Sequence, residues 1–123
     1  MRQVPSTLAM AAFAVMPSVA ASAALERLCR FERQILDGVS RVVDLPVIVD
    51  SSGGRGEVLI GTGARYPASI QTSAAGAMVL VFSTGVSRET MTIGPGGETL
   101  WQINFNDGKT MAYAGSCGPN RKR

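Results

Sequence analysis

The side chains of this sequence that could do chemistry are few, and none of them forms a recognisable catalytic set. The 123 residues include no histidine and only two cysteines. Histidine is the commonest general base and metal ligand in proteins, and the usual partner of a nucleophilic serine. Two distant cysteines are too few for a zinc site. We therefore predict neither a catalytic triad nor a metal centre, and we expect no cofactor.

Carboxylates are the remaining candidates for acid and base catalysis. Each of them lies beside a turn or alternates outward along an extended segment, where acidic side chains are normally solvated. Hydroxyl nucleophiles such as Ser73 and Ser83 have no identifiable base. We therefore expect a protein that is not an enzyme. The acidic residues considered are Asp44, Asp50, Glu57, Glu89, Glu98 and Asp107.

Aromatic side chains offer a second kind of site. Trp101 and Phe105 share one face of an extended segment. Such a face could stack sugars or bases, but large aromatic side chains more often fill the core of a small β domain. Core packing is the favoured interpretation. Exposed binding by Trp101 is kept as a hypothesis, together with Arg65 and Tyr66, which follow the turn Gly61-Thr62-Gly63.

The first 23 residues have the three-part pattern of a secretory signal. Arg2 supplies the positive start, the stretch from Leu8 to Met16 is apolar, and Ala21-Ser22-Ala23 is a small-x-small cleavage site. We expect a mature chain from Ala24, located in the periplasm or secreted, with no transmembrane segment after the leader is removed. In an oxidising compartment two cysteines are more often bridged than metal-bound, so we predict a disulfide between Cys29 and Cys117.

The charge distribution argues against a nucleic-acid partner. The sequence pI is about 9.3, but three of the twelve basic residues are the terminal Arg121, Lys122 and Arg123, and Arg2 belongs to the leader. The remaining chain is nearly neutral. We interpret residues 118–123 as a flexible basic tail, and we expect a monomer whose partner is a protein or an envelope component.

Short apolar segments separated by glycine-rich turns indicate the fold. Turn signals recur about every ten residues, which predicts about eight short strands in one antiparallel domain, a small barrel or a sandwich, over residues 24–117. Residues 25–36 fit either an amphipathic helix or an opening strand, and we prefer a strand through Cys29 to Arg33. Pro46 makes the segment from Val39 to Asp50 an edge strand or one interrupted by a bulge.

The two ends of this domain resemble a group of small exported proteins of Gram-negative bacteria that have no assigned activity. The likeness is carried by Cys29-x-Phe31, by Met91-Thr92-Ile93 through Gly97, and by Tyr113-x-Gly115-x-Cys117. The resemblance implies an exported, disulfide-tied β domain. The secretory signal, the absence of a catalytic set and the two cysteines lead us to expect a role in binding or as an accessory of the envelope rather than in catalysis.

A second resemblance is to the periplasmic inhibitors of C-type lysozyme, which are also small disulfide-tied β-barrels. Gly63-Ala64-Arg65-Tyr66 is similar to their Ser-Gly-x-Arg-Tyr segment, whereas Trp101 lies far downstream of the position of their Trp-x-Lys-Gly segment. This resemblance implies inhibition of a cell-wall hydrolase through the loop from Gly61 to Tyr66.

Overall fold

The computed structural model describes residues 24–61 and 63–122, and within these ranges the chain forms nine β-strands and no helix. The predicted leader, residues 1–23, lies outside the described residues. The strands are β1 (Leu25–Leu36), β2 (Val39–Ser52), β3 (Arg55–Ile60), β4 (Ala64–Thr72), β5 (Met78–Ser83), β6 (Ser87–Ile93), β7 (Glu98–Phe105), β8 (Thr110–Cys117) and β9 (Arg121–Lys122).

The first eight strands form a closed antiparallel barrel. Each strand pairs with the next one along the chain, and β1 pairs with both β2 and β8. Closure removes the two outer edges that a sandwich of the same strands would keep. The all-β prediction is confirmed, and of the two predicted architectures the barrel is the one observed. The alternative of a helix over residues 25–36 is wrong, because this whole segment is strand β1.

Alternation of side chains explains why these segments become barrel strands. On β7, Thr99, Trp101 and Ile103 are buried, and the residues between them are exposed. On β6, the buried residues are Ser87, Glu89, Met91 and Ile93. A period of two places one set in the interior and the other in solvent. The tight turn after β7 uses Gly108 with a φ of 92°, a conformation that favours glycine.

A packed apolar core fills the barrel. Seven side chains are almost completely inaccessible to solvent, and they come from five strands on all sides of the barrel. Other buried residues of β4, β7 and β8 belong to the same cluster, so all eight strands of the barrel contribute to one core. The seven are Phe31, Val47, Val49, Val58, Leu80, Met91 and Ile93.

A β-bulge in β1 changes which residues face this core. The buried residues Arg27, Cys29 and Phe31 are two positions apart, but the next buried residue, Gln34, follows three positions after Phe31. The register of β1 with both β2 and β8 shifts between Phe31 and Arg33. The extra residue of a bulge reverses the alternation, and here it turns Gln34 to the interior.

Gly115 accommodates the close approach of β8 to this bulge. It lies opposite Phe31, and a Cβ atom at this position would overlap the carbonyl oxygen of Arg30 and lie 2.6 Å from Cα of Phe31. Both obstacles are main chain, so they cannot move aside as a flexible side chain could. A glycine within a strand often marks such an approach.

The predicted disulfide closes the barrel. Cys29 of β1 and Cys117 of β8 are direct cross-strand partners, and their side chains form the disulfide in the barrel interior. The bond connects residues separated by 88 positions, and the prediction is confirmed.

Strand β2 extends beyond its neighbour β3. It pairs with β1 from Val39 to Ser51, whereas its ladder with β3 runs only from Val47 to Ser52. Pro46, which has no N–H to donate, lies where the second ladder stops, and its carbonyl oxygen accepts a hydrogen bond from Gly61 at 3.0 Å. The segment from Val39 to Leu45 is therefore an edge strand, whereas Val47 to Asp50, which the prediction also covered, is paired on both sides.

The end of the chain returns to the start of β1. Arg121 and Lys122 form β9, which pairs with Glu26 and Leu25, and Arg121 Nη2 lies 2.7 Å from Glu26 Oε1. The sequence predicts a flexible basic tail over residues 118–123, whereas this part of it is held by main-chain pairing and an ion pair.

Candidate functional site

A buried carboxylate lies inside the barrel. Glu89 is only 4% exposed, and its two oxygens accept hydrogen bonds at 2.7 Å from the indole Nε1 of Trp101 and from the hydroxyl of Ser87. Ser87 also lies 2.7 Å from the hydroxyl of Thr84. These two donors satisfy both oxygens of the enclosed carboxyl group. The sequence-based interpretation of Glu89 as a solvated residue is therefore wrong.

A row of side chains on the inward face of the sheet continues from Trp101 across three further strands and ends at the exposed residue Arg41. Trp101 stacks on Tyr113 with ring centroids 4.9 Å apart. Gln34 Nε2 donates to the Tyr113 hydroxyl at 2.9 Å, and Arg41 Nε donates to Gln34 Oε1 at 2.6 Å. These four residues are cross-strand partners in register on β7, β8, β1 and β2. The row thus joins the barrel core to the edge strand, and we call it the Trp101–Arg41 row.

The residues predicted from sequence to bind a partner are not brought together. Trp101 is 3% exposed and belongs to the core. Tyr66 is partly buried and stacks on Phe82, whose ring centroid is also 6.4 Å from that of Trp101. Arg65 points outward on β4 and forms an ion pair of 2.8 Å with Glu57. Of the three predicted residues, Arg65 presents its side chain to solvent.

The projecting part of β2 is the most unusual surface of the barrel. From Val39 to Leu45 it has β1 on one side and no described strand on the other. Val39 is 66% exposed and Val42 is 83% exposed. The surrounding outer face is charged: Arg30 pairs with Asp44, and Arg33 Nη1 donates to the hydroxyl of Ser40 at 3.0 Å. We call the segment Val39–Leu45 the free β2 edge.

Three carboxylates lie side by side on the outer face at the opposite end of β2. Glu26, Asp50 and Glu57 are direct cross-strand partners on β1, β2 and β3. Arg121 and Arg65 pair with the two outer members of this set. Among the described residues, no group of three or more cysteines and carboxylates has a geometry that could hold a metal ion.

Near this end of the barrel, an arginine holds the chain that follows β8. Arg27 is buried, and its Nε donates to the carbonyl oxygen of Gly118 at 2.8 Å. Burial lowers the pKa of the Arg27 guanidinium from its ordinary value. The contact is internal, and it anchors the segment that leads into β9.

The chain was compared with known proteins in three ways. No family model matches it, and no match was found among curated proteins or among solved structures. Within the described residues, no helix is long and apolar enough to cross a membrane.

Two features of the inward face of the barrel were not predicted from the sequence. Glu89 is two residues before Met91, so period-two alternation alone would have placed both on the buried face. Arg41 joins the row because Gln34 turns inward after the bulge, and no residue type in β1 signals that shift. The free β2 edge was signalled by Pro46.

Proposed function

We propose that this chain is an exported, non-catalytic binding domain that engages another protein by adding a strand at the free β2 edge. The observation that carries the proposal is the unpaired side of residues Val39–Leu45, with Val42 83% exposed beside it. Unpaired N–H and C=O groups along a strand are a template for an incoming extended chain.

The composition of this edge supports a binding role. Natural proteins commonly protect an exposed edge with lysine, with proline or with a very short strand. The free β2 edge is seven residues long, contains no lysine and has its proline only after its end, at Pro46. Four of its seven residues are apolar, and its two charged residues are Arg41 and Asp44. An accessible edge of this length can pair with another chain unless a partner covers it.

The interior of the barrel supports binding at the surface rather than catalysis. The buried polar side chains Glu89, Gln34 and Thr99 each hydrogen-bond to other groups of the chain. A catalytic group needs access to a substrate, and these side chains are enclosed.

Export is part of the proposal. The pattern of residues 1–23 is that of a secretory signal, and a disulfide such as Cys29–Cys117 persists in oxidising compartments. We infer a periplasmic or secreted location and a role as an accessory of the cell envelope.

Site-specific photocrosslinking tests this function. A photoreactive phenylalanine analogue replaces Val42 in the full chain, expressed with its leader in a Gram-negative bacterium. The matched control carries the analogue at Gln102, an exposed residue of β7 with paired strands on both sides. We expect a discrete cross-linked product from position 42 that is missing from position 102. No discrete product at 42, or the same product at both positions, would contradict strand addition.

Inhibition of a cell-wall hydrolase is the alternative function. The turn after β3 lies beside the free β2 edge through the Gly61–Pro46 hydrogen bond, and Gly61, Ala64 and Arg65 are exposed there. An exposed turn is the kind of segment that an inhibitor inserts into an enzyme cleft. Lysozyme assays with the mature chain and with Arg65→Ala test it, and the absence of inhibition at micromolar protein would exclude this function.

A further inference from the structure

The Trp101–Arg41 row ends at the free β2 edge. Interior rows of a closed barrel normally continue from strand to strand around the whole wall. Here the register runs from Trp101 through Tyr113 and Gln34 to Arg41, and no described strand lies beyond Arg41. An added strand would place a side chain next to Arg41 on the same face of the sheet.

The guanidinium of Arg41 is held in place by a buried side chain. Gln34 is 8% exposed, and its Nε2 donates a hydrogen bond to the Tyr113 hydroxyl. Its Oε1 accepts a hydrogen bond from Arg41 Nε at 2.6 Å. The two Nη nitrogens of Arg41 have no partner among the described residues. Arg41 borders a recess of about 250 Å³ whose other lining residues include the apolar Leu36 and Val39. A fixed guanidinium with free donors is suited to a carboxylate, which it binds through two parallel hydrogen bonds.

We infer that the strand bound at the free β2 edge carries an aspartate or glutamate opposite Arg41, with apolar residues two positions before and after it. Cross-strand partners share a face of the sheet, and opposite charges in such pairs are favourable. The neighbours of Arg41 on that face are Val39 and Val43, so we expect apolar residues of the bound strand opposite them. The inference rests on the proposed function, since it specifies the segment that this edge binds.

A second copy of this chain does not supply that carboxylate. In a two-fold antiparallel pairing of two β2 edges, directly opposed residues face the same side. Asp44 is three positions from Arg41 and therefore faces the opposite side. The edge residues that share the face of Arg41 are Val39, Val43, Leu45 and Arg41 itself. The acidic residue must come from another protein.

Binding of model strands tests the inference. The probe is the capped heptapeptide Thr-Val-Thr-Glu-Thr-Val-Thr, whose palindromic sequence presents the same pattern in parallel and antiparallel orientations. Analogues with central glutamine or lysine are the reference peptides. Affinities for the mature chain are measured by NMR titration, with the amide signals of residues 40–45 as the reporter. We expect the glutamate peptide to bind about tenfold more tightly than the glutamine peptide, and the lysine peptide to bind most weakly.

Two variants identify the arginine responsible. Arg41→Gln is expected to abolish the preference for glutamate, so that the glutamate and glutamine peptides bind with equal affinity. Arg33→Gln is the matched control, because Arg33 lies on the same hairpin but on its outer face, where it contacts Ser40; it should keep the tenfold preference. Thermal unfolding of each variant verifies that it is folded.

The outcomes separate this inference from the proposed function. Equal affinities for glutamate and glutamine peptides, with shifts in residues 40–45, would overturn the acidic specificity and leave strand addition intact. A cross-linked dimer of this chain from position 42 would also overturn it, since the occupant would then be a second copy. No peptide binding together with no cross-link at position 42 would overturn both.

Discussion

At the scale of single residues, a carboxyl group enclosed by the barrel orients part of its aromatic core. Glu89 holds the indole of Trp101, and Trp101 in turn contacts the rings of Phe31, Phe82 and Tyr113. The carboxylate therefore fixes the orientation of the largest aromatic side chain in the barrel.

Glu89→Ala should destabilise the fold by about 2–3 kcal/mol, because it leaves the Trp101 N–H and the Ser87 hydroxyl without their acceptor. Glu89→Gln keeps one acceptor oxygen for Trp101 and should cost less. The free energy of unfolding from urea titration measures both.

Glu98→Ala is the control, since Glu98 is exposed on the neighbouring strand. It should change the free energy of unfolding by no more than about 0.5 kcal/mol. A Glu89→Ala variant as stable as this control would show that the buried network does not stabilise the fold.

At the scale of strands, the bulge in β1 organises the edge of the barrel. It turns Gln34 inward, and Gln34 carries the interior row to Arg41. The bulge is possible because Gly115 leaves room on β8 for the displaced main chain.

Gly115→Ala should destabilise the protein by about 3 kcal/mol or more, since the added methyl group overlaps main-chain atoms of Arg30 and Phe31. Gly118→Ala is the matched control, because its nearest obstacle is the Leu28 carbonyl oxygen at an ordinary 3.7 Å. Chemical denaturation compares the two, and equal stabilities would mean that β8 can move away from the bulge at little cost.

The positions of the strands could largely be predicted from the sequence. Which side chains of each strand face the core could be predicted only in part. The alternation of β7 and the turns at Gly94–Gly97 and Asn106–Gly108 are local patterns that a sequence displays directly. The register shift at Glu32 depends on how β1 meets both β2 and β8, which lie far away in sequence. The projection of β2 beyond β3 was signalled by Pro46, but its length depends on where the β3–β4 turn falls.

At the scale of the whole molecule, one covalent bond closes the barrel between the first strand and the last of its eight. Cys29 and Cys117 enclose nearly the entire described domain. In the chain-entropy description, a loop of this length stabilises the folded state by about 4.5 kcal/mol through its effect on the unfolded chain.

A Cys29→Ser/Cys117→Ser double variant should therefore lose about 3–5 kcal/mol of unfolding free energy. Wild-type protein unfolded in the presence of a reductant should show the same loss. Guanidinium titrations with and without reductant measure it, and coincident midpoints for oxidised and reduced wild type would contradict a stabilising role for the bond.

The pairing of β1 with β8 also determines when the chain can fold. Loop closure between segments separated by 88 residues is slow compared with the formation of local hairpins, and chains dominated by such contacts fold late. During synthesis, β1 emerges before the other strands and keeps one side unpaired until Thr110–Cys117 follows. The barrel is therefore completed only after its eighth strand has emerged.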